Sequence, residues 1–226
     1  MTATHDSCLQ RGHTMLAPYV GFYNQNPFGL GLVSPVSPEG EGKYSGNPIF
    51  ILGGFSSVRL NGKLRYYHLS KKEFTSSINR SAIQLAKLSG FSPIITTASL
   101  KHAEFLKSIG ATHVIDRSIS ASNLVSEISG ITQNVPIKYV LDSISVPDTQ
   151  QTAYDLLGKG GKLVIFLAPA VKTTKEKEIF SIVGFLRDPA NIELLETLYH
   201  DNLERLLNEG TIKVSRNRKY HRVMSS

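Results

Sequence analysis

The sequence is poor in the residues that mark secreted, metal-binding or membrane-spanning proteins. Of 226 residues only one is cysteine, Cys8, and none is tryptophan. A single thiol excludes an internal disulfide framework and a zinc site built on paired cysteines. The seven histidines are His5, His13, His68, His102, His113, His200 and His221, with no HxxxH pair and no carboxylates at ligand spacing. They read as scattered surface histidines, and no metal is expected. A bilayer span needs ~20 mostly apolar residues. The longest candidate, Met15 to Val33, is broken by Asn24, Gln25, Asn26 and Pro27. No apolar h-region follows His5 and Asp6, so neither a signal peptide nor a membrane partner is expected, and a cytoplasmic location is. No Ser, His and Asp arrangement stands out. Lys159 lies in GKGGK rather than in a GxxxxGKS/T loop, and reads as part of a tight turn.

Acidic residues are also scarce, leaving a net charge of +7. Two segments account for it. Arg59 to Arg80 holds six cations against Glu73, and Thr211 to Ser226 holds five cations and no acid, so each carries +5 and the remainder −3. A basic loop and a basic tail on a mildly acidic body do not make a nucleic-acid protein, and no recognition motif accompanies the charge.

What is present is an alternation. Asn47 to Gly54 (NPIFILGG) is a short apolar run ending in paired glycines, the pattern of a buried strand entering a tight turn. Ala82, Leu85 and Ala86 in SAIQLAKLSG fall at helical spacing, and Gly90 closes that helix. Then follow the strand PIITT (Pro93 to Thr97) and a helix over Leu100 to Gly110, with Ala103, Leu106 and Ile109 on one face. Next come the strand HVID (His113 to Asp116), a helix around Asn123 to Ile128, and the strand KYVLD (Lys138 to Asp142). A helix over Thr149 to Leu157, the GKGGK turn, the strand Lys162 to Leu167, one more strand at Ile179 to Leu186 and a long helix over Ala190 to Leu207 complete the series. Continuous apolar strands alternating with helices predict an α/β fold, a Rossmann-like doubly wound parallel sheet. The boundaries expected are a leader and linking helix over 1–46, a dinucleotide-binding domain over 47–210 containing an insert at 59–80, and an atypical basic tail over 211–226.

In such a fold a helix follows the first strand almost at once, and its N-terminus holds the cofactor pyrophosphate. Here the turn reads Gly53-Gly54-Phe55-Ser56-Ser57-Val58, Arg59 stands where a third glycine is expected, and the helix is expected only from Ser81. The surplus keeps the reading frame. It reads as a retained intron or alternative exon, with a genuine long loop as the rival, and a transcript lacking the block would decide.

With the insert set aside, ILGGFSSV joined to SAIQLAKLSGFSPIITTAS, followed by FLKSIGATHVIDR, DSIS and LRDPANIELLETLYHDNLERLLNEGTIKV, resembles the medium-chain dehydrogenase/reductase superfamily. The likeness is to its zinc-independent quinone oxidoreductase and enoyl-reductase members, including fungal trans-acting enoyl reductases. It runs from about Leu16 to about Val214 and covers the C-terminal, alcohol dehydrogenase-like nucleotide-binding domain. The resemblance implies hydride transfer from NADPH to an activated C=C or a quinone in a small-molecule substrate. It also implies pairing of two copies through the edge strand near Ile179 to Leu186. An open alternative is a non-catalytic, truncated or mis-spliced remnant that binds nucleotide weakly or not at all, since the family's catalytic domain would precede this one.

NAD-specific folds carry an acid at the end of the second strand for the ribose 2′-hydroxyl. Here that strand ends Thr96-Thr97-Ala98-Ser99 and is followed by Lys101 and His102, so a 2′-phosphate and NADPH are expected, with Ser99 and Lys101 as contacts. A plain helix N-cap at Ser99 beside an exposed lysine is the alternative. The turn glycines Gly53 and Gly54 would admit the pyrophosphate. By the resemblance, Ser56, Ser57 and Val58 would line it, Asp142, Ser143 and Ile144 would lie near the adenosine, and Ala168 and Pro169 would approach the nicotinamide. No catalytic residue is assigned.

Overall fold

The computed structural model describes residues 15–53, 71–182 and 189–213. Gly54, Ser56, Ser57, Val58, Cys8 and the tail beyond Lys213 lie outside the described residues. A helix at 15–23 (α1) leads through turns to β1, Ile49–Leu52. Then come α2 (Lys71–Leu88), β2 (Ile94–Ala98), a 3₁₀ turn (Leu100–His102), α3 (Ala103–Ser108), β3 (His113–Asp116), α4 (Ala121–Ile131) and β4 (Ile137–Asp142). The series ends with α5 (Pro147–Leu156), β5 (Leu157–Ile165), β6 (Glu178–Ser181), α6 (Pro189–Glu196), a π-turn (Thr197–Asn202) and α7 (Leu203–Asn208). The six strands form one sheet in the order β3-β2-β1-β4-β5-β6, and every neighbouring pair is parallel. The expected α/β, Rossmann-like doubly wound sheet is therefore present.

The continuous apolar strands are explained by cover on both faces. Ile49 and Ile51 of β1 pack with Tyr19 and Phe22 of α1, Ile83 and Leu85 of α2, and Leu198 and Leu206 of the C-terminal helices. Phe50 and Leu52, pointing the other way, pack with Leu124 and Ile128 of α4 and Ala153 of α5. Strand side chains alternate between faces, so burying both requires an unbroken apolar run. Each such side chain, fully buried, contributes about 1.5–3 kcal/mol from loss of apolar surface to water.

Three elements differ from the sequence expectation. Helix α2 begins at Lys71, ten residues before Ser81, so the second half of the expected insert is helical and continuous with the family-like helix. Strand β5 begins at Leu157 and takes up the GKGG segment that was expected to be a free turn. Its pairing with β4 is irregular between Ile137 and Tyr139, and Gly160 has a φ of +72°, which marks a bulge. Strand β6 starts at Glu178 and is described to Ser181, and residues 183–186 of the expected strand lie outside the described residues. The last helix is as expected in extent but carries a π-turn at its centre.

Candidate functional site

The chain moves outward from β1 to β2 and β3, then crosses back to lay β4 on the other side of β1. Connections leaving the carboxyl ends of β1 and β4 therefore diverge, and a crevice opens between them. A cleft of about 440 Å³ lies there, walled by Leu52, Gly53, Thr97, Arg117, Ile144 and Thr149. Ser118 and Thr152 add hydroxyls to it. Each strand end from β1 to β4 contributes, through its last residues or the loop that follows.

Gly53 closes β1 with a φ of +98°, a conformation only glycine adopts freely. A Cβ there would lie 2.8 Å from Ile144 Cγ1, so the turn and the β4 loop touch backbone to side chain. The Gly53 N–H donates to Thr97 Oγ1 at 3.1 Å, joining the ends of β1 and β2. On the far wall, Asp116 ends β3 and accepts from the Ser118 N–H (2.8 Å) and Ser118 Oγ (2.7 Å). Those bonds hold the Asp116 carboxyl below the usual carboxylate range and fix the turn that presents Arg117 and Ser118.

Asp142 ends β4 and is fully buried. Its Oδ1 accepts from the Ile144 and Ser145 N–H groups, both at 2.9 Å, and its Oδ2 accepts from Thr149 Oγ1 at 2.6 Å. Burial pushes its carboxyl up to about 6, against the pull of these donors. Ser145 is held at a φ of +56°, with its Oγ donating to the Asp142 carbonyl (2.6 Å) and accepting from the Phe166 N–H (2.8 Å). Gln150 then ties this loop to the one leaving β5. Its Nε2 donates to the carbonyls of Ser145 (2.8 Å) and Ala168 (3.0 Å), and its Oε1 accepts from the Ala170 N–H (2.8 Å).

The structure thus brings together some of the expected site residues. Gly53 and Ile144 line the cleft, and Ser143 Oγ donates to the Leu52 carbonyl beside it. Asp142 lies beneath the cleft as the anchor of its own turn. Ser99 caps the 3₁₀ turn without a side-chain cap bond, Lys101 is exposed, and neither is among the cleft-lining residues. Ala168 and Pro169 are exposed on the loop after β5 and also stand away from that cleft. Sequence reasoning missed Thr97, Arg117, Ser118, Thr149 and Thr152. Arg117 and Ser118 had a usable signal, because they directly follow an acid-terminated strand on the edge where ligands bind.

A dinucleotide fits these residues unevenly. The cleft offers apolar walls, hydroxyls and one guanidinium, which suit an adenosine bearing phosphate. At the pyrophosphate position the described residues are Gly53 and the stretch of α2 facing it, and there the fit is poor. The residue of α2 that meets Gly53 is Asn79, completely buried, whose Nδ2 donates to the Gly53 carbonyl and whose Oδ1 has no partner among the described residues. A glycine in that place lets helix and strand pack closely around the cofactor, and a carboxamide fills the gap.

A six-stranded parallel sheet in this order, with a cleft at its switch point, defines the doubly wound dinucleotide-binding class. Comparison with known proteins narrows it: the sequence model of the zinc-binding dehydrogenase family matches residues 78–201. The chain belongs to that family, and with it to the medium-chain dehydrogenase/reductase superfamily, through the C-terminal-type domain. Among curated relatives, a trans-enoyl reductase of Gibberella fujikuroi is 34% identical over 158 residues, which is 62% of this chain and 43% of that protein. The trans-enoyl reductase eqxC of Fusarium heterosporum is 39% identical over 95 residues, 42% of this chain and 26% of its own length. The chain thus spans less than half of these relatives. Among solved structures, the CurK enoyl reductase has a TM-score of 0.60 at 17% identity, covering 96% of this chain and 55% of that one. The benzyl alcohol dehydrogenase of Acinetobacter calcoaceticus gives 0.54 at 20%, covering 88% and 45%. Among the described residues no helix is long and apolar enough to cross a membrane, and no group of three or more metal-ligating side chains occurs.

Proposed function

We propose that this chain is the cofactor-binding domain of an NADPH-dependent oxidoreductase that reduces an activated C=C. The observation that carries the reading is the composition of the cleft at the β2 and β3 ends. β2 ends there at Ala98, without the carboxylate an NAD-specific fold has, Thr97 lines the cleft, and Arg117 supplies a cation to it. A guanidinium pairs more strongly with a phosphate than with a hydroxyl, so the preference for a 2′-phosphate rests on Arg117 rather than on Ser99 and Lys101. When bound, the nicotinamide supplies the hydride. This chain's residues hold the adenosine end and keep the β4 and β5 loops in register beside it. The trans-enoyl reductases among its relatives favour a C=C over a quinone. Pairing of two copies along β6, the outer strand, belongs to the same reading.

Titration calorimetry with NADPH and NADH tests this. NADPH is expected to bind about tenfold tighter or better, and Arg117→Ala to erase most of the difference, as loss of one charge-assisted phosphate contact should. Equal affinities in the unaltered chain would remove the NADPH preference, and absence of binding by either would remove the cofactor itself. A second reading, a non-catalytic remnant, draws its support from α2: the helix body, not its start, faces Gly53.

A further inference from the structure

Resting on that cofactor reading, we infer that this chain recognises the adenosine 2′,5′-bisphosphate moiety alone, and that the rest of the dinucleotide adds little to its affinity. The pyrophosphate grip of a doubly wound fold depends on a helix that starts beside the glycine turn. Its first N–H groups have no partner in the helix, and they and the dipole converge on the anion. In this chain Asn79 stands at that point, and it is the ninth residue of α2. The start of the helix at Lys71 lies about 12 Å further along its axis, at 1.5 Å per residue.

The backbone N–H of a mid-helix residue is spent on the carbonyl four residues earlier, so the stretch of α2 facing Gly53 presents no free donors to a phosphate. Its one side chain there makes matters worse for an anion. Asn79 Nδ2 is used by the Gly53 carbonyl, and the atom left over is the acceptor Oδ1. An acceptor oxygen repels phosphate oxygens. It is also buried, so it cannot turn to water.

The adenosine cleft does not share this defect. Its walls come from the ends of β1, β2, β3 and β4 and the loops after them, and those after β3 and β4 are pinned by bonds that involve neither α2 nor Gly53. Ser118 bonds Asp116, and Thr149 donates to Asp142. Arg117 on this cleft gives it a preference for a phosphate on the ribose. The two halves of the family's binding site are thus physically separable here, and one of them survives intact.

Calorimetry on the full chain with NADPH, adenosine 2′,5′-bisphosphate and 5′-AMP decides the matter. The first two are expected to agree within about threefold, and both to bind about tenfold tighter than 5′-AMP. A larger advantage for NADPH would overturn the inference while leaving the cofactor reading intact. Equal binding of 5′-AMP would overturn the ribose-phosphate preference, and failure of every ligand would overturn the cofactor reading and the inference together. A chain with Arg59 to Arg80 replaced by Gly-Gln puts a helix start back beside Gly53. There NADPH should gain about tenfold over the bisphosphate, whose own affinity stays constant and reports that the domain is folded. Persistent equality in that folded variant would show that α2 is not the cause and would overturn the inference. If the variant loses the bisphosphate as well, the unaltered chain decides alone.

Discussion

Gln150 of α5 and Asn79 of α2 are carboxamides buried on opposite faces of the same sheet, 1% and 0% exposed. Gln150 spends its amide on three backbone groups, two carbonyls and one N–H, and so joins the loops that follow β4 and β5. Asn79 satisfies one carbonyl and strands its own oxygen. A buried polar group is stabilising only when its partners are complete, and costs about 1–3 kcal/mol for each one left unpaired. The difference teaches that the α5 side of the domain is internally consistent, whereas the α2 side carries a residue that its surroundings do not suit. That asymmetry coincides with the segment the sequence already marked as surplus.

The sharpest way to break this comparison is to truncate both amides identically. Gln150→Ala leaves the Ser145 and Ala168 carbonyls and the Ala170 N–H without their partner, and should cost about 3–5 kcal/mol in urea unfolding. A cost below about 1 kcal/mol would mean that water replaces the glutamine and that the latch is dispensable.

Asp142 gives the next largest effect. Its folded-state value of about 6 lies above that of an unfolded aspartate, so the folded chain binds the extra proton between the two values. Stability should therefore fall as pH rises from about 4 to about 6, by on the order of 2–3 kcal/mol from this group, and stay level above that. Asp142→Asn should flatten this part of the pH profile. An unchanged slope in the variant would assign the titration to another group.

The smallest effect is expected from Asn79→Ala. It removes a bond to Gly53 but also the stranded oxygen, and places the best helix former in α2, so stability should shift by less than about 1 kcal/mol in either direction. A loss as large as that of Gln150→Ala would show that Asn79 is as well matched as Gln150, and would end the comparison.

Most of the fold was legible because both faces of the sheet are covered. β1, β2, β3 and β4 each appear as short runs near their true places, and Leu106 and Ile109 of the α3 region are buried as their spacing implied. The start of α2 was not legible, because KKEFTSSINR is rich in residues of modest helix propensity and reads as a polar loop. One signal was there: Ile78, fully buried, extends the stripe of Ala82, Leu85 and Ala86 backward by one turn. At the site, the absence of an acid after β2 was readable, but which cation faces the cleft was not. Lys101 lies within a 3₁₀ turn that carries it into solvent, whereas Arg117 is held by the Asp116 turn. Such choices depend on turn geometry, which spacing alone does not reveal.

Helix α1 belongs to this account as well. Tyr19 and Phe22 are fully buried in the same cluster as β1, and the Tyr23 hydroxyl shares a hydrogen bond with Ser89 Oγ at 2.7 Å at the end of α2. The segment before the first strand is therefore a wall of the core rather than an approach to it. In hereditary terms, the smallest stretch that can be copied, spliced or fused as a working part is longer than the nucleotide-binding motif. An exon boundary drawn at the first strand would separate a fold from one of its own faces.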